Sequence, residues 1–381
     1  MYTDNIDSDS RIGDVVRISV KKWTNKNNDN AETKNVVLTE YRQYTARKVF
    51  FMLFCLIVLI LSCGVALTIG QYSIGFWESY GIVWQHIMGD IQDPLKDYVI
   101  WQLRLPKIIV GIIAGVGFAI CGVAMQSILK NPLADPYTTG VSSGAGFGAT
   151  LAIVMGASIV MNEYAIVLNA FIFALIPTLV IISVSKMKNS SPTTMIMAGI
   201  AIMYVFNAVT TIIKLWGDPN SLSAILEWQV GSIGGITWDN IPIMLFVTLI
   251  GFASFQLMSR RLNVLATGDD NAKGLGVDVE RIRMMTMILT ALIAATIVSF
   301  TGLIGFIGLV APHIARMIIG ADNRYLFLAS AIFGAAILII ADIVGKTVVS
   351  PAVLPVGVIT SFLGGPLFLW LIIRNKSEIW G

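Results

Sequence analysis

Few side chains in this 381-residue chain are suited to covalent chemistry, and those few are poorly placed for it. The only histidines, His86 and His313, stand far apart in sequence without partner ligands, which argues against a metal centre. Cys55, Cys63 and Cys121 sit singly in apolar runs with no CxxC pair, and they read as lipid-facing or packing residues. Neither HExxH nor GxSxG occurs. Gly345-Lys346-Thr347 looks like the end of a phosphate-binding loop, but the first glycine of that motif would fall at position 340, which is Ile340. The tripeptide also ends an apolar run and does not follow a strand. The chain therefore hydrolyses nothing by itself, and an integral membrane enzyme, which needs clustered His, Asp or Cys residues, is disfavoured.

What remains is chemistry by charge. Residues 259–283, SRRLNVLATGDDNAKGLGVDVERIR, form the one long polar interruption of a hydrophobic body, with Arg260, Arg261, Arg281, Arg283, Lys273 and four acids. Such a stretch cannot lie in lipid, and its basic residues place it on the cytoplasmic side. Asn271 to Gly276 predicts a short helix stopped by glycine, followed by a second short turn. Composition leaves two readings open: a handle for a soluble partner, or a solvated connection between two spans.

The elements that must position these charges are membrane helices. The chain is 56% hydrophobic and 13% charged, about half the charged fraction of soluble domains. Apolar runs of roughly 20 residues predict ten helices, near 49–70, 105–129, 138–158, 165–185, 193–214, 240–258, 284–302, 303–319, 325–346 and 352–373. The run from Met284 to Gly320 is too long for one span and too short for two, so one of its helices must be short, with Gly302, Gly305 and Gly308 as break points. An even number of spans puts both termini on one side. Of 26 Lys and Arg, only Lys96, Arg104, Lys107, Lys214 and Lys346 then fall on the other side, and this bias makes the termini cytoplasmic. Domain organisation follows: a polar, largely disordered cytosolic tail over 1–46, a transmembrane domain over 47–375, and a cytosolic C-terminus at 376–381. Between the first two spans, Trp77, Trp84 and Trp101 mark an amphipathic linker along the outer surface.

No Asp, Glu, Lys or Arg falls near the midpoint of a predicted span, which disfavours proton-coupled carriers and voltage sensors. Small residues, including Gly111-xxx-Gly115 and Gly117-xxx-Cys121, allow close helix packing. Gln126 and Asn207 read as interhelical hydrogen-bonding groups. The small net charge of +3 is a topology signal and implies no nucleic-acid partner.

Ordered motifs then run through most of the chain: Trp101 to Lys107 (WQLRLPK), Gly122 to Gln126 (GVAMQ), Asn131 to Pro136 (NPLADP), Gly140 to Gly146 (GVSSGAG), Gly305 to His313 (GFIGLVAPH), Ala341 to Val344 (ADIV) and Leu354 to Thr360 (LPVGVIT). In this order, over residues 50 to 375, the chain resembles the FecCD-type permeases that import iron-siderophores, haem and cobalamin. The resemblance implies an all-α, ten-helix permease in the plasma or inner membrane with both termini cytoplasmic. It would act with a second permease subunit (another copy or a paralogue), two cytosolic ATPase subunits and an external substrate-binding protein. It would bind no cofactor itself, with ATP used by the partners, and the cargo would be a bulky metal chelate, an iron-siderophore ahead of haem or a corrinoid. A secondary carrier or channel is the rival from another class.

The resemblance also assigns residues. Arg104, Lys107 and Lys346 match basic positions that pair with carboxylates of the binding protein, and lysine at the latter two lacks the bidentate fork of arginine. Residues 262–283 match the coupling helices that sit in the ATPase, which favours the handle reading, with Leu265, Asp269, Asp270, Ala272, Lys273, Gly274, Leu275 and Gly276 at the contact. Ser191, Pro192, Thr193 and Thr194 match the stretch that narrows the cytoplasmic exit.

Overall fold

A computed structural model describes residues 45–160, 164–188 and 192–374. The expected tail and C-terminus lie outside the described residues, except for residues 45 and 46, which begin the first helix. Among the described residues the structure is helical, and all ten expected apolar helices are present. They are α1 (Thr45–Thr68), α4 (Leu105–Leu129), α5 (Val141–Met155), α6 (Ala165–Lys188), α7 (Pro192–Lys214), α9 (Ile241–Ala266), α11 (Val279–Thr301), α12 (Ile307–Ile319), α13 (Asn323–Thr347) and α14 (Val356–Arg374). Shorter helices lie between them: α2 (Phe76–Met88), α3 (Pro94–Tyr98), α8 (Pro219–Gln229) and α10 (Asp269–Gly274). Seven helices are long and apolar enough to cross a membrane; α5, α12 and the apolar part of α14 are shorter.

The boundaries differ from expectation for local reasons. The third run shortens to α5 because a 3-10 turn, Pro136–Thr139, capped by Asp135, precedes it, and left-handed glycines, Gly140 (φ +81°) and Gly156 (φ +61°), bound it. α9 runs past its apolar stretch to Ala266, and α11 starts five residues early at Val279, where the Asp278 carboxylate accepts from the Arg281 N–H. The polar island is therefore mostly the ends of two long helices. The expected second short turn is simply the first turn of α11, and α10 is the only separate helix there. In the run from Met284 to Gly320, Gly302 (φ +69°) closes α11 and Gly305 lies in the turn, but Gly308 sits inside α12. The Trp-bearing linker is only partly a surface element. Trp77 and Trp84 on α2 are exposed, whereas Trp101 is packed between His86 and Trp238.

α4 is the axis of the bundle. Of its most apolar window 83% is buried, against 17% for α7. Lipid tails are as apolar as leucine, so burial alone does not drive spans together, and close backbone packing must supply the attraction. A Cβ on Gly115 would stand 2.6 Å from both the Ala335 Cα and the Gly334 carbonyl of α13, and one on Gly122 would collide with the Gly308 carbonyl of α12. Position 308 needs glycine in its turn, since a Cβ there would stand 2.9 Å from Pro136 Cδ and 3.0 Å from the Phe118 carbonyl of α4. Gln126 makes the interhelical bond expected of it: its amide donates to the Leu309 carbonyl (3.4 Å) and accepts from Arg316 Nη2 (3.1 Å).

The bundle has two unlike ends. The starts of α4 and α9 meet at a tryptophan-rich end, where Trp238 Nε1 donates to the Trp101 carbonyl at 2.9 Å. At the opposite, charged end, Lys130 at the foot of α4 reaches Asp269 of α10, and Asn263 of α9 donates to Asp322 ahead of α13 (2.7 Å). Arg324 and Asn263 hold the Asp322 carboxyl down to about 2. Asp135 is opposite in sense: burial raises its carboxyl to about 6 although it accepts from the Thr138 N–H at 2.9 Å.

Two tests follow from this packing. Gly122→Ala should destabilise the detergent-solubilised protein by about 1–3 kcal/mol, as overpacking does, read as a lower melting temperature. Gly274→Ala, where a Cβ meets nothing within 4 Å, should change little. A carboxyl raised on folding is favourable below its unfolded value of about 4 and loses that advantage as pH rises through about 6. Asp135→Asn keeps the capping oxygen, so it should stabilise the protein by on the order of 1 kcal/mol at pH 7.5, with the gain shrinking toward pH 4. Equal melting temperatures for Asp135→Asn and wild type at pH 7.5 would contradict the buried-charge account.

Candidate functional site

The three basic residues singled out in sequence converge at the tryptophan-rich end. Arg104, Lys107 and Lys346 line one cavity of about 730 Å³, with the segment just after α1 (Ile69 to Tyr72) and the segment Thr347 to Val353 completing its wall. They are not equivalent. Arg104 is buried, and its two terminal nitrogens donate to the carbonyls of Leu67 and Tyr72, satisfying acceptors that the end of α1 leaves open. A Cβ on Gly70 would stand 2.8 Å from the guanidinium, so the chain wraps tightly around it. Each terminal nitrogen thus gives one of its two N–H groups to the fold and keeps the other. Lys346 Nζ lies 2.5 Å from Asp342, a residue one turn back that is itself buried. Lys107 is half-buried and forms no ion pair among the described residues. Lys107 and the Lys346 pair leave the cavity net positive.

A second recess lies among α5, α7, α8 and α14. Two adjoining cavities of about 490 and 120 Å³ share Ser142, Leu303 and Gln229. Their polar lining is Tyr137, Ser142, Ser143, Asn207, Thr210, Gln229 and Ser361, and no lining residue is charged. Its floor is built by glycine: a Cβ on Gly357 would strike the Val230 and Leu303 carbonyls, and Gly231 (φ +70°) packs on Leu303. This neutral wall was not legible as a site in the sequence. Asn207 was its one signal, and the amide is exposed along the recess, where an interhelical bond was expected. A third cavity, about 550 Å³ between α6, α9 and α11, offers only Thr296, Ser299 and the Tyr164 hydroxyl among apolar side chains. It lacks the convergent polar groups that would orient a polar ligand.

At the charged end, α10 is held by ions from beneath. Asp269 accepts from Lys130 Nζ at 2.7 Å and from Arg283 Nη2 at 3.1 Å with both carboxylate oxygens, and the Arg283 side chain is buried. Partial burial by itself would raise the Asp269 carboxyl; the two cations outweigh it and hold the group below its usual range. Leu265 and Ala272 are fully buried and anchor the same helix. Leu265 and Ala272 thus face into the protein, Asp269 is engaged from the protein side with a third of its side chain exposed, and Asp270, Lys273, Gly274, Leu275 and Gly276 form the rest of the loop. Lys273 reaches Glu280 at 2.8 Å, Gly276 turns the chain at φ +79°, and Leu275 stands 70% exposed on an otherwise polar loop. Nearby, Lys186, Met195 and Arg281 border a cavity of about 470 Å³. Ser191 lies outside the described residues; Pro192 opens α7, followed by exposed Thr193 and half-buried Thr194.

The model of the FecCD transport family matches residues 55–374. A protein of Methanocaldococcus jannaschii, provisionally named an ABC transporter permease, is 40% identical over 89% of this chain and 99% of its own length. The hemin transport system permease HmuU of Yersinia pestis is 35% identical, covering 82% of this chain and 94% of the relative. The vitamin B12 import system permease BtuC of Shigella boydii is 32% identical, covering 89% and 100%. Among solved structures, an inward-facing one provisionally described as a metal-chelate type ABC transporter superposes with a TM-score of 0.75 at 28% identity, over 85% of this chain and 98% of that one. A match of this length, on a bundle whose Gly122–Gly308 contact and whose Arg104 and Lys107 come from the ordered motifs, leaves one assignment: the chain is a multi-pass membrane protein of the FecCD transport family.

Proposed function

We propose that this chain is the permease subunit of an ABC importer for a bulky metal chelate, with an iron chelate as the foremost cargo. The observation that carries the reading is the uncharged polar wall beside α7, the least buried of the long spans. A span this bare, next to a recess open on one side, fits half of a passage completed by a second permease subunit. Its large outward side chains, such as Tyr204, Val205 and Ile212, supply apolar surface for that contact. Relatives named for hemin and vitamin B12 transport support a chelate as cargo.

Orientation follows from charge. With the charged end in the cytosol, the basic residues there obey the positive-inside bias and both termini are cytoplasmic. The tryptophan-rich end then faces outward and presents the cation pocket to the carboxylates of a substrate-binding protein. Lys107 is the principal contact, Lys346 the second, and Arg104 shapes the pocket from within. At the cytosolic end, the α10 loop is the handle for an ATPase subunit: Leu275 inserts, and the Asp269 staple transmits its displacement to α4 and α11. The transporter is then a two-state passage biased by ATP-driven closure of its partners. Pro192 to Thr194, at the foot of α7, narrow the exit together with Ser191.

Two measurements test the ends separately. Lys107→Glu should weaken docking of the cognate binding protein to the nanodisc-embedded complex by roughly tenfold, about 1.4 kcal/mol, while the ATPase still co-purifies. Unchanged docking would remove the pocket from the contact. Leu275→Asp should abolish co-purification of the ATPase without lowering the melting temperature of the permease; a complex that survives this change would refute the handle. Solute accumulation by vesicles containing this polypeptide alone would favour a secondary carrier and overturn the whole reading.

A further inference from the structure

Met203, Asn207, Thr210 and Lys214 recur at steps of four, three and four residues along α7, so they form one stripe on a single helix face. The first three line the neutral recess. Lys214 continues the stripe at the tryptophan-rich end, where its Nζ donates to the Gln229 side-chain oxygen at 3.3 Å. Gln229 in turn lines both cavities of the recess. A single ammonium therefore crowns a wall that is otherwise uncharged, and it is held there by a neutral amide.

The ion pairs among the described residues engage His86, Lys96, Lys130, Lys273, Arg283, Arg324 and Lys346, and none engages Lys214. The carboxylate that begins α8, Asp218, is turned to the Ser221 N–H at 2.6 Å. An amide oxygen orients an ammonium but does not neutralise it. A bulky solute closing over this spot strips water from the charge, and a neutral solute leaves it unpaired. A solute carrying an anionic oxygen at its edge replaces the lost water with a charge-assisted hydrogen bond.

We infer that Lys214, positioned by Gln229, is a specificity residue that recognises an anionic oxygen on the metal chelate as it enters the passage. Resting on the passage assignment above, this narrows the cargo to chelates with peripheral negative charge: carboxylate, catecholate or propionate. Discrimination against an uncharged chelate of similar size should be at least about tenfold, the ordinary worth of one hydrogen bond to a charged group.

The test uses the reconstituted permease, ATPase and binding protein, with four probes. Haem and a ferric triscatecholate carry negative charge; two ferric trihydroxamates without ionised side groups carry none. Wild type should take up at least one anionic probe, and Lys214→Gln should raise the half-saturating concentration for it at least fivefold with a smaller change in maximal rate. Lys214→Arg should restore it to within about twofold. Docking of the empty binding protein should be equal in all three. Uptake of uncharged probes alone, or an anionic probe indifferent to Lys214→Gln, would overturn the inference while leaving the importer reading standing. Weakened docking of the empty binding protein would assign Lys214 to a protein carboxylate instead, and would equally overturn it. Failure of every probe to enter with all partners present would defeat the importer reading itself.

Discussion

Backbone contact along α4 is the constraint on which the rest depends. A membrane helix gains little by exchanging lipid for another apolar helix, so a bundle holds together where carbonyls and Cα atoms come close enough for many weak attractions to sum. Gly115 against Gly334 and Ala335, and Gly122 against Gly308, bring α13 and α12 onto α4 with no side chain between. Those two contacts fix α12 as a short helix wedged in the interior, since its first turn must pass the glycine face of α4. They also fix the tether of Tyr137, whose hydroxyl donates to the Ile304 carbonyl at 3.0 Å just ahead of that turn, at the edge of the neutral recess. The recess thus inherits its shape from packing on the far side of the same helices.

Charge is used in a second step, and mostly for structure. Arg104 closes the end of α1, Arg283 and Lys130 pin α10 through Asp269, and Arg316 joins α12 to α4 through Gln126. A cation already bonded inside the fold has fewer donors left for a partner. The cations with fewer partners inside the fold are Lys107 in the cation pocket and Lys214 above the recess, while the α10 loop adds an exposed leucine. Sorting cations by what they already hold separates residues of one apparent class into scaffold and contact.

That distinction marks the limit of what the sequence could tell. Hydropathy located all ten helices, because a span of lipid demands a run of apolar residues that no other signal imitates, and Gly302 ended α11 where expected. Polar residues at helix ends defeated the boundaries: arginine and glutamate are good helix formers, so α9 and α11 ran on into the island that their charge seemed to interrupt. Gly308 looked like a breaker and is a packing residue, since a glycine's use depends on what stands opposite it. Among site residues, sequence brought together Arg104, Lys107 and Lys346 correctly in space but could not see the carbonyls of Leu67 and Tyr72 that occupy Arg104. The neutral wall was invisible, because serine, threonine and asparagine in apolar helices usually bond their own backbone, as Thr210 does to Phe206 at 2.7 Å.

A neutral wall with ions confined to its rim is what transport of a large chelate requires. Charges along the passage would bind an anionic cargo tightly, and every increment of affinity inside would have to be overcome at release. On the role inferred for Lys214, a single ammonium at the entrance orients the cargo and contributes nothing further down. Hydroxyl and amide groups below it exchange hydrogen bonds with the moving solute at nearly constant free energy, because each net bond is worth only about 1 kcal/mol over water. The energy that sets direction must then come from outside the passage; in the proposed reading it enters at α10, a short helix stiffened by its ionic fastening to α4 and α11. Stiffness there and neutrality along the recess are complementary requirements of one design, in which the permease contributes shape and its partners contribute work.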